Sequence, residues 1–110
     1  MDAEVEILEA VVRALWHWEC KHLDTVIVIA LVNGHVFNGE VHRFRLEGPA
    51  EAAEVFAWCD TERGRRHCCA VLKTGPVHTA GDAVHAAAIL DAPAGIREIV
   101  RTIDMHDSRG

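Results

Sequence analysis

Residues 54–73 read EVFAWCDTERGRRHCCAVLK, and the fold turns on how this stretch pairs with itself. Around a four-residue loop at 62–65, two antiparallel strands set Thr61 opposite Arg66, Cys59 opposite Cys68, Ala57 opposite Ala70, Val55 opposite Leu72 and Glu54 opposite Lys73. Opposite charges then meet at the open end. One face collects Val55, Ala57, Cys59, Cys68, Ala70 and Leu72, small enough to lie under a helix. The other collects Phe56, Trp58, Asp60, His67, Cys69 and Val71, a bulky apolar patch with a polar edge. That sorting by size argues for the register. The approach to the hairpin is ambiguous: residues 50–53 with Glu51 and Glu54 have helical composition, whereas residues 55–59 have strand character. The pairing arithmetic favours strand from about Glu54.

Upstream, TVIVIALV at residues 25–32 is apolar on both alternating faces, the pattern of a central strand covered above and below. Asn33-Gly34 suits a hairpin turn. The return strand spans about 35–46, and a second Asn-Gly at 38 and 39 predicts a bulge or bend within it, or else a competing turn that shifts the hairpin. Beyond that point His42, Phe44 and Leu46 alternate with Val41, Arg43 and Arg45, an apolar face against a basic one. Residues 3–20 read as a helix, with Val5, Leu8, Val12, Leu15 and Trp16 on one stripe and Asp2 at the N-cap. A second row, Ile7, Val11, Ala14 and Trp18, widens the apolar arc to roughly 200°. Such a helix is either clasped on two sides or shared with another subunit.

Downstream, Gly75-Pro76 ends the sheet. Thr79 and Asp82 form a capping box ahead of an alanine-rich helix at 83–90. Pro93 separates it from a second helix starting near Ala94, striped by Ile96, Ile99, Val100 and Ile103. Residues 106–110 read as a frayed tail. The expected fold is a single α+β domain over 1–110: an N-terminal helix, a four-stranded antiparallel sheet and two C-terminal helices packed on it.

The chain has 110 residues, half of them hydrophobic, with 11 Lys+Arg against 17 Asp+Glu for a formal net charge of −6. A domain of this size buries about 65% of its unfolded surface, enough for a core without staples. Disorder is excluded for most of the chain. Its longest apolar run is far short of the roughly 20 residues of a membrane-spanning helix, and its acidic start is unlike a signal peptide, so the expectation is a cytoplasmic protein. There the four cysteines stay reduced, and their spacing contains no CxxC pair. The acidic balance argues against nucleic acid as a partner.

Cys59, Cys68, Cys69 and His67 match a zinc set in type, but neighbouring strand residues point to opposite faces, so packing is the better account. Asp60, His67 and Cys69 share a face and offer an acid, a base and a nucleophile, an alternative enzymatic reading without an oxyanion donor. Residues 16–22 (WHWECKH) place Trp16 and Trp18 on different faces of a helix end, which suits contact with two surfaces. Arg43, Arg45, Arg63, Arg65 and Arg66 form a basic corner suited to a carboxylate or phosphate, or to a solvated edge. The glycines are isolated turn residues, not phosphate or dinucleotide loops. No catalytic residue, metal site or cofactor is assigned. The eight histidines form no paired motif.

The words Phe44-x-Leu46-x-Gly48, Phe56-Ala57-Trp58, Val71-Leu72, Gly75-Pro76-Val77 and Ala83-Val84-x-Ala86 resemble a group of uncharacterised small α+β proteins from bacterial mobile, integron-type gene cassettes. The resemblance spans about residues 40–90. It implies a small accessory gene product and carries no activity. The function expected from the residues is a self-associating module, a homodimer that binds a protein or small apolar ligand through Trp16, Trp18, Phe56, Trp58, His67, Cys69 and Val71. The argument is an excess of apolar surface over the helices that cover it. The alternatives are the His67, Asp60 and Cys69 enzyme and an acidic inhibitor or immunity-type protein that blocks a basic partner.

Overall fold

The structure, a computed structural model, describes residues 3–32, 34–62, 65–88 and 100–105. In chain order these form α1 (Ala3–Trp16), β1 (Glu19–Val32), β2 (His35–Glu47), β3 (Ala52–Glu62), β4 (Arg65–Leu72), α2 (Ala80–Ala88) and β5 (Val100–Met105). The strands make one antiparallel meander of five in the order β1-β2-β3-β4-β5. The α+β class is therefore as the sequence suggests.

The β3–β4 register matches the pairing arithmetic: Val55 faces Leu72, Ala57 faces Ala70, Cys59 faces Cys68 and Thr61 faces Arg66. Glu62 and Arg65 are themselves paired, so the strands run two residues further than a four-residue loop allows. At the open end the Lys73 amide donates to the Glu54 carbonyl at 2.8 Å, and the Lys73 ammonium lies 3.6 Å from the Glu54 carboxylate.

Among the described residues, each face of the sheet carries one helix. Val5, Leu8 and Val12 of α1 pack on Phe44, Leu46, Val55, Ala57, Cys68 and Ala70, the small-residue face. Ala80, Ala83 and Val84 of α2, with Val77, pack on Val28, Phe37, Val41, Phe56, Trp58, Cys69 and Val71. The bulky patch of the sequence reading is thus interior. Its aromatic side chains fill the wider gap left by a short, alanine-rich helix, and Phe37 meets Trp58 edge-on at 6.3 Å between ring centroids.

Four sequence expectations need correction. The first helix stops at Trp16 rather than at residue 20: His17 takes the left-handed conformation (φ 58°), and its amide donates to the Arg13 carbonyl at 2.7 Å, a C-terminal cap made without glycine. The chain re-enters as β1 at Glu19. Second, β1 is an edge strand rather than a central one, because a meander of hairpins leaves its first strand with one neighbour. Third, the bulge lies between His22 and Asp24 of β1, while Asn38 and Gly39 pair regularly with Ile29 and Val28. Gly39 instead makes room for the Phe37 ring, since a β-carbon there would sit 3.0 Å from its tip. Fourth, the expected second C-terminal helix contributes strand, not helix, over Val100–Met105, which adds a fifth strand beside β4. Its β-branched Val100, Thr102 and Ile103 suit a strand as well as a helical stripe. The remainder of that expectation, and the tail at 106–110, lie outside the described residues.

The first C-terminal helix begins at Ala80, three residues before the expected start, but with the expected cap. The Asp82 amide donates to Thr79 Oγ1 at 3.1 Å, and the Asp82 carboxylate accepts from the His78 and Thr79 amides at 3.0 and 3.1 Å. These bonds hold the Asp82 carboxyl below the usual carboxylate range.

Candidate functional site

The β1 bulge has a chemical consequence. By inserting Leu23 it brings Asp24 opposite Arg43 and Thr25 opposite His42, one pair on each face of the sheet.

On the α1 face His42 heads the row that continues through Phe44 and Leu46, and it is 1% exposed. An imidazole so buried needs partners for both nitrogens. They are Glu4 from the first turn of α1, whose Oε2 lies 2.8 Å from His42 Nε2, and Thr25 of β1, whose Oγ1 lies 2.8 Å from His42 Nδ1. The chain continues, since His22 Nε2 is 3.1 Å from the same Thr25 hydroxyl. For a neutral imidazole the directions are fixed by the ends. The Glu4 carboxylate only accepts, so His42 Nε2–H donates to it, Thr25 O–H donates to Nδ1, and Thr25 Oγ1 accepts from His22. The His22 ring also packs on His42 and Phe44, with centroids 5.6 and 5.3 Å away. Glu40, two residues before His42 on the same face, completes a group with Glu4 and His42 in which the potential ligand atoms all lie within 4.8 Å of one another.

Immediately beyond this network, no described element covers the α1 face of the β1–β2 hairpin. Ile27 (64% exposed), Ile29 (71%), Leu31 (68%) and Val36 (63%) form an aliphatic surface, and Ile27 is the cross-strand partner of Glu40. Of the described helices, α1 covers the other end of that face. Polar Asn38 and Glu40 share the surface from β2.

On the α2 face Arg43 grips Asp24 in a bidentate pair, Nε to Oδ1 at 3.1 Å and the second guanidinium nitrogen to Oδ2 at 2.6 Å, and reaches Glu54 of β3 at 2.9 Å. Both carboxyls are held below their ordinary values, chiefly by these Arg43 hydrogen bonds. Arg45 pairs with Glu47 at 2.8 Å. The two arginines of the expected anion corner that the structure describes fully are therefore engaged by the chain's own acids. The side chains of Arg63, Arg65 and Arg66 lie outside the described residues.

The binding residues expected from sequence are divided by the fold. Phe56, Trp58, Cys69 and Val71 are brought together, but as core beneath α2, where a ligand reaches them only if that helix lifts away. Asp60 is paired with His67 and Trp58 with Cys69, as the register requires; the Cys69 thiol is buried in that core, and the His67 side chain lies outside the described residues. Trp16 and Trp18 pack at the margin of the α1 core. Trp18 also lies over Gly48, where a β-carbon would approach its indole to 2.7 Å, and helps line an open depression of about 530 Å³ with Ala10, Arg13, Ala14, His17 and Glu19. Cys59 and Cys68 sit with their sulfurs 3.5 Å apart, and Cys20, opposite Leu46 in β1, is half-buried. Burial, then the nearby Glu9 carboxylate, pushes the Cys20 thiol up to about 11.

Sequence reasoning missed Glu4, Thr25, His22 and His42 as a group. The one visible signal was a histidine heading an otherwise apolar row. Comparison of the chain with protein families, curated proteins and solved structures finds no match.

Proposed function

We propose that the protein is a self-associating module whose aliphatic hairpin face is covered by the same face of a second copy. The carrying observation is the exposure of Ile27, Ile29, Leu31 and Val36 as one continuous surface on an edge hairpin. Isolated exposed aliphatics are ordinary, but a contiguous row of four is a feature of surfaces that meet something apolar.

A second copy fits this face better than a charged partner does. Among the described residues this face bears a single charged side chain, Glu40 at its margin, so two copies with a net charge of −6 each meet where their repulsion is weakest. Full burial of one such aliphatic is worth ~1.5–3 kcal/mol, so the exposed two-thirds of four on both copies supplies on the order of 8–16 kcal/mol. Association costs roughly 4–15 kcal/mol in lost freedom and side-chain ordering. The two quantities are comparable. The resulting complex forms at high micromolar concentration and is sensitive to a single charge.

Among the described residues no helix is long and apolar enough to cross a membrane. The test is light scattering on size-exclusion fractions of the wild-type chain and of Ile29→Lys. The wild type runs as a dimer at high micromolar concentration and Ile29→Lys as a folded monomer. A wild-type chain that stays monomeric throughout removes the proposal.

A further inference from the structure

We propose that Glu4, Glu40 and His42 bind a divalent transition-metal ion of the zinc class. The argument begins with the imidazole rather than with the acids. His42 is almost wholly enclosed, one ring nitrogen is anchored by Thr25 and the other is directed at the Glu4 carboxylate, with Glu40 beside it. A metal-binding histidine is characteristically oriented in this way, its non-ligating nitrogen held by a neighbour that fixes tautomer and ring angle.

The ligand types select the ion. One imidazole and two carboxylates suit zinc, manganese or ferrous iron, while calcium and magnesium sites are built from oxygen alone. Ligand bonds of ~2.0–2.2 Å in a tetrahedral site set the donor atoms about 3.3–3.6 Å apart. The three donors here lie within 4.8 Å of one another, and Glu40 is exposed, so rotation of its flexible side chain closes the difference. Two carboxylates balance the charge of a divalent cation, and three protein ligands leave a coordination position for water or for a partner's group. Ile27, opposite Glu40, places that position at the edge of the aliphatic face.

Binding rewrites the hydrogen-bond chain without breaking it. When the metal takes His42 Nε2, the ring proton moves to Nδ1 and is donated to Thr25 Oγ1. The Thr25 hydroxyl proton then turns toward His22 Nε2, 3.1 Å away, which accepts it as the His22 ring in turn exchanges its proton through solvent from Nε2 to Nδ1. The proton formerly on Nε2 is thus relocated on the same ring.

The probe is Co²⁺, a spectroscopic stand-in for zinc, titrated into the reduced full-length chain. The expected result is one equivalent bound, with ligand-field bands of nitrogen and oxygen ligation and no thiolate charge-transfer band. Glu40→Ala, an exposed position, weakens Co²⁺ by at least about tenfold and leaves the melting temperature of the metal-free protein unchanged. Long-range ¹⁵N–¹H spectra with Zn²⁺ show the His42 proton moving from Nε2 to Nδ1. The proposal is overturned by absence of Co²⁺ binding at large excess, by a thiolate band placing the ion on the cysteines, by unchanged affinity in Glu40→Ala, or by a His42 tautomer indifferent to zinc.

Discussion

Replacing His42 separates what its volume contributes from what its hydrogen bonds contribute. The side chain is 1% exposed and lies among Glu4, Thr25, His22 and Phe44, so His42→Ala opens a cavity between α1 and the sheet and removes both ring hydrogen bonds. A large-to-alanine change in a core costs ~2–5 kcal/mol, the neutral bond to Thr25 about 0.5–1.5 kcal/mol and the bond to the Glu4 carboxylate about 1.5–3 kcal/mol. For His42→Ala a loss on the order of 4–6 kcal/mol is expected. His42→Phe keeps most of the volume. Its abandoned partners both reach water, Glu4 being partly and Thr25 well exposed, so neither is left as a buried orphan. The expected loss for His42→Phe is therefore about 2–3 kcal/mol. The assay is urea unfolding followed by tryptophan fluorescence, with slopes compared to exclude a change in the denatured state. If His42→Phe costs as much as His42→Ala, or if His42→Ala costs less than about 1 kcal/mol, the account of this network as a filled, water-relieved tie between helix and sheet is wrong.

Three further predictions concern other sites. Gly48→Ala drives a β-carbon into the Trp18 indole, and overpacking of this kind costs ~1–3 kcal/mol; the cost shrinks when Trp18→Ala is combined with it, and equal losses in both backgrounds would exclude the clash. Iodoacetamide labels Cys20 slowly at neutral pH and faster only as pH nears about 11, because the thiol is desolvated first and repelled by Glu9 second; Glu9→Gln speeds labelling, and fast labelling of the wild type would contradict this. Asp24 and Glu54 have depressed carboxyls, so their contribution is fully present at neutral pH and disappears as pH falls through the carboxylate range. Because Asp24 is well exposed, that contribution is no more than about 1 kcal/mol, and Arg43→Gln should flatten the acid limb of the stability curve.

The parts of the fold that were legible in sequence are those where local chemistry leaves one arrangement. Between residues 54 and 73 a slip by one residue would exchange the small and bulky faces, so size sorting alone sets the register. The Thr79 and Asp82 cap announces α2 because both partners lie within one turn. Elsewhere the deciding partner is remote or the pattern is degenerate. Residues 26–32 are apolar on both faces whether covered on both sides or only one, and sequence alone does not say whether the cover comes from the same chain. Leu15, Trp16 and Trp18 fit a helix continuing past residue 16, and His17, the residue that turns the chain, carries no glycine signal. Val100 and Ile103 satisfy a helical stripe and a strand equally. The site itself depends on a bulge at Leu23 and on a glutamate 38 residues away from His42, neither of which has a local signature.

The central claim is that the aliphatic hairpin face meets its own copy, and isotope-filtered NOE spectroscopy on a mixture of methyl-labelled and unlabelled chains observes that contact itself. The account predicts intermolecular NOEs among the methyl groups of Ile27, Ile29, Leu31 and Val36 at high micromolar concentration, lost in Ile29→Lys. Their absence at that concentration, or their appearance only at residues outside this face, would contradict it.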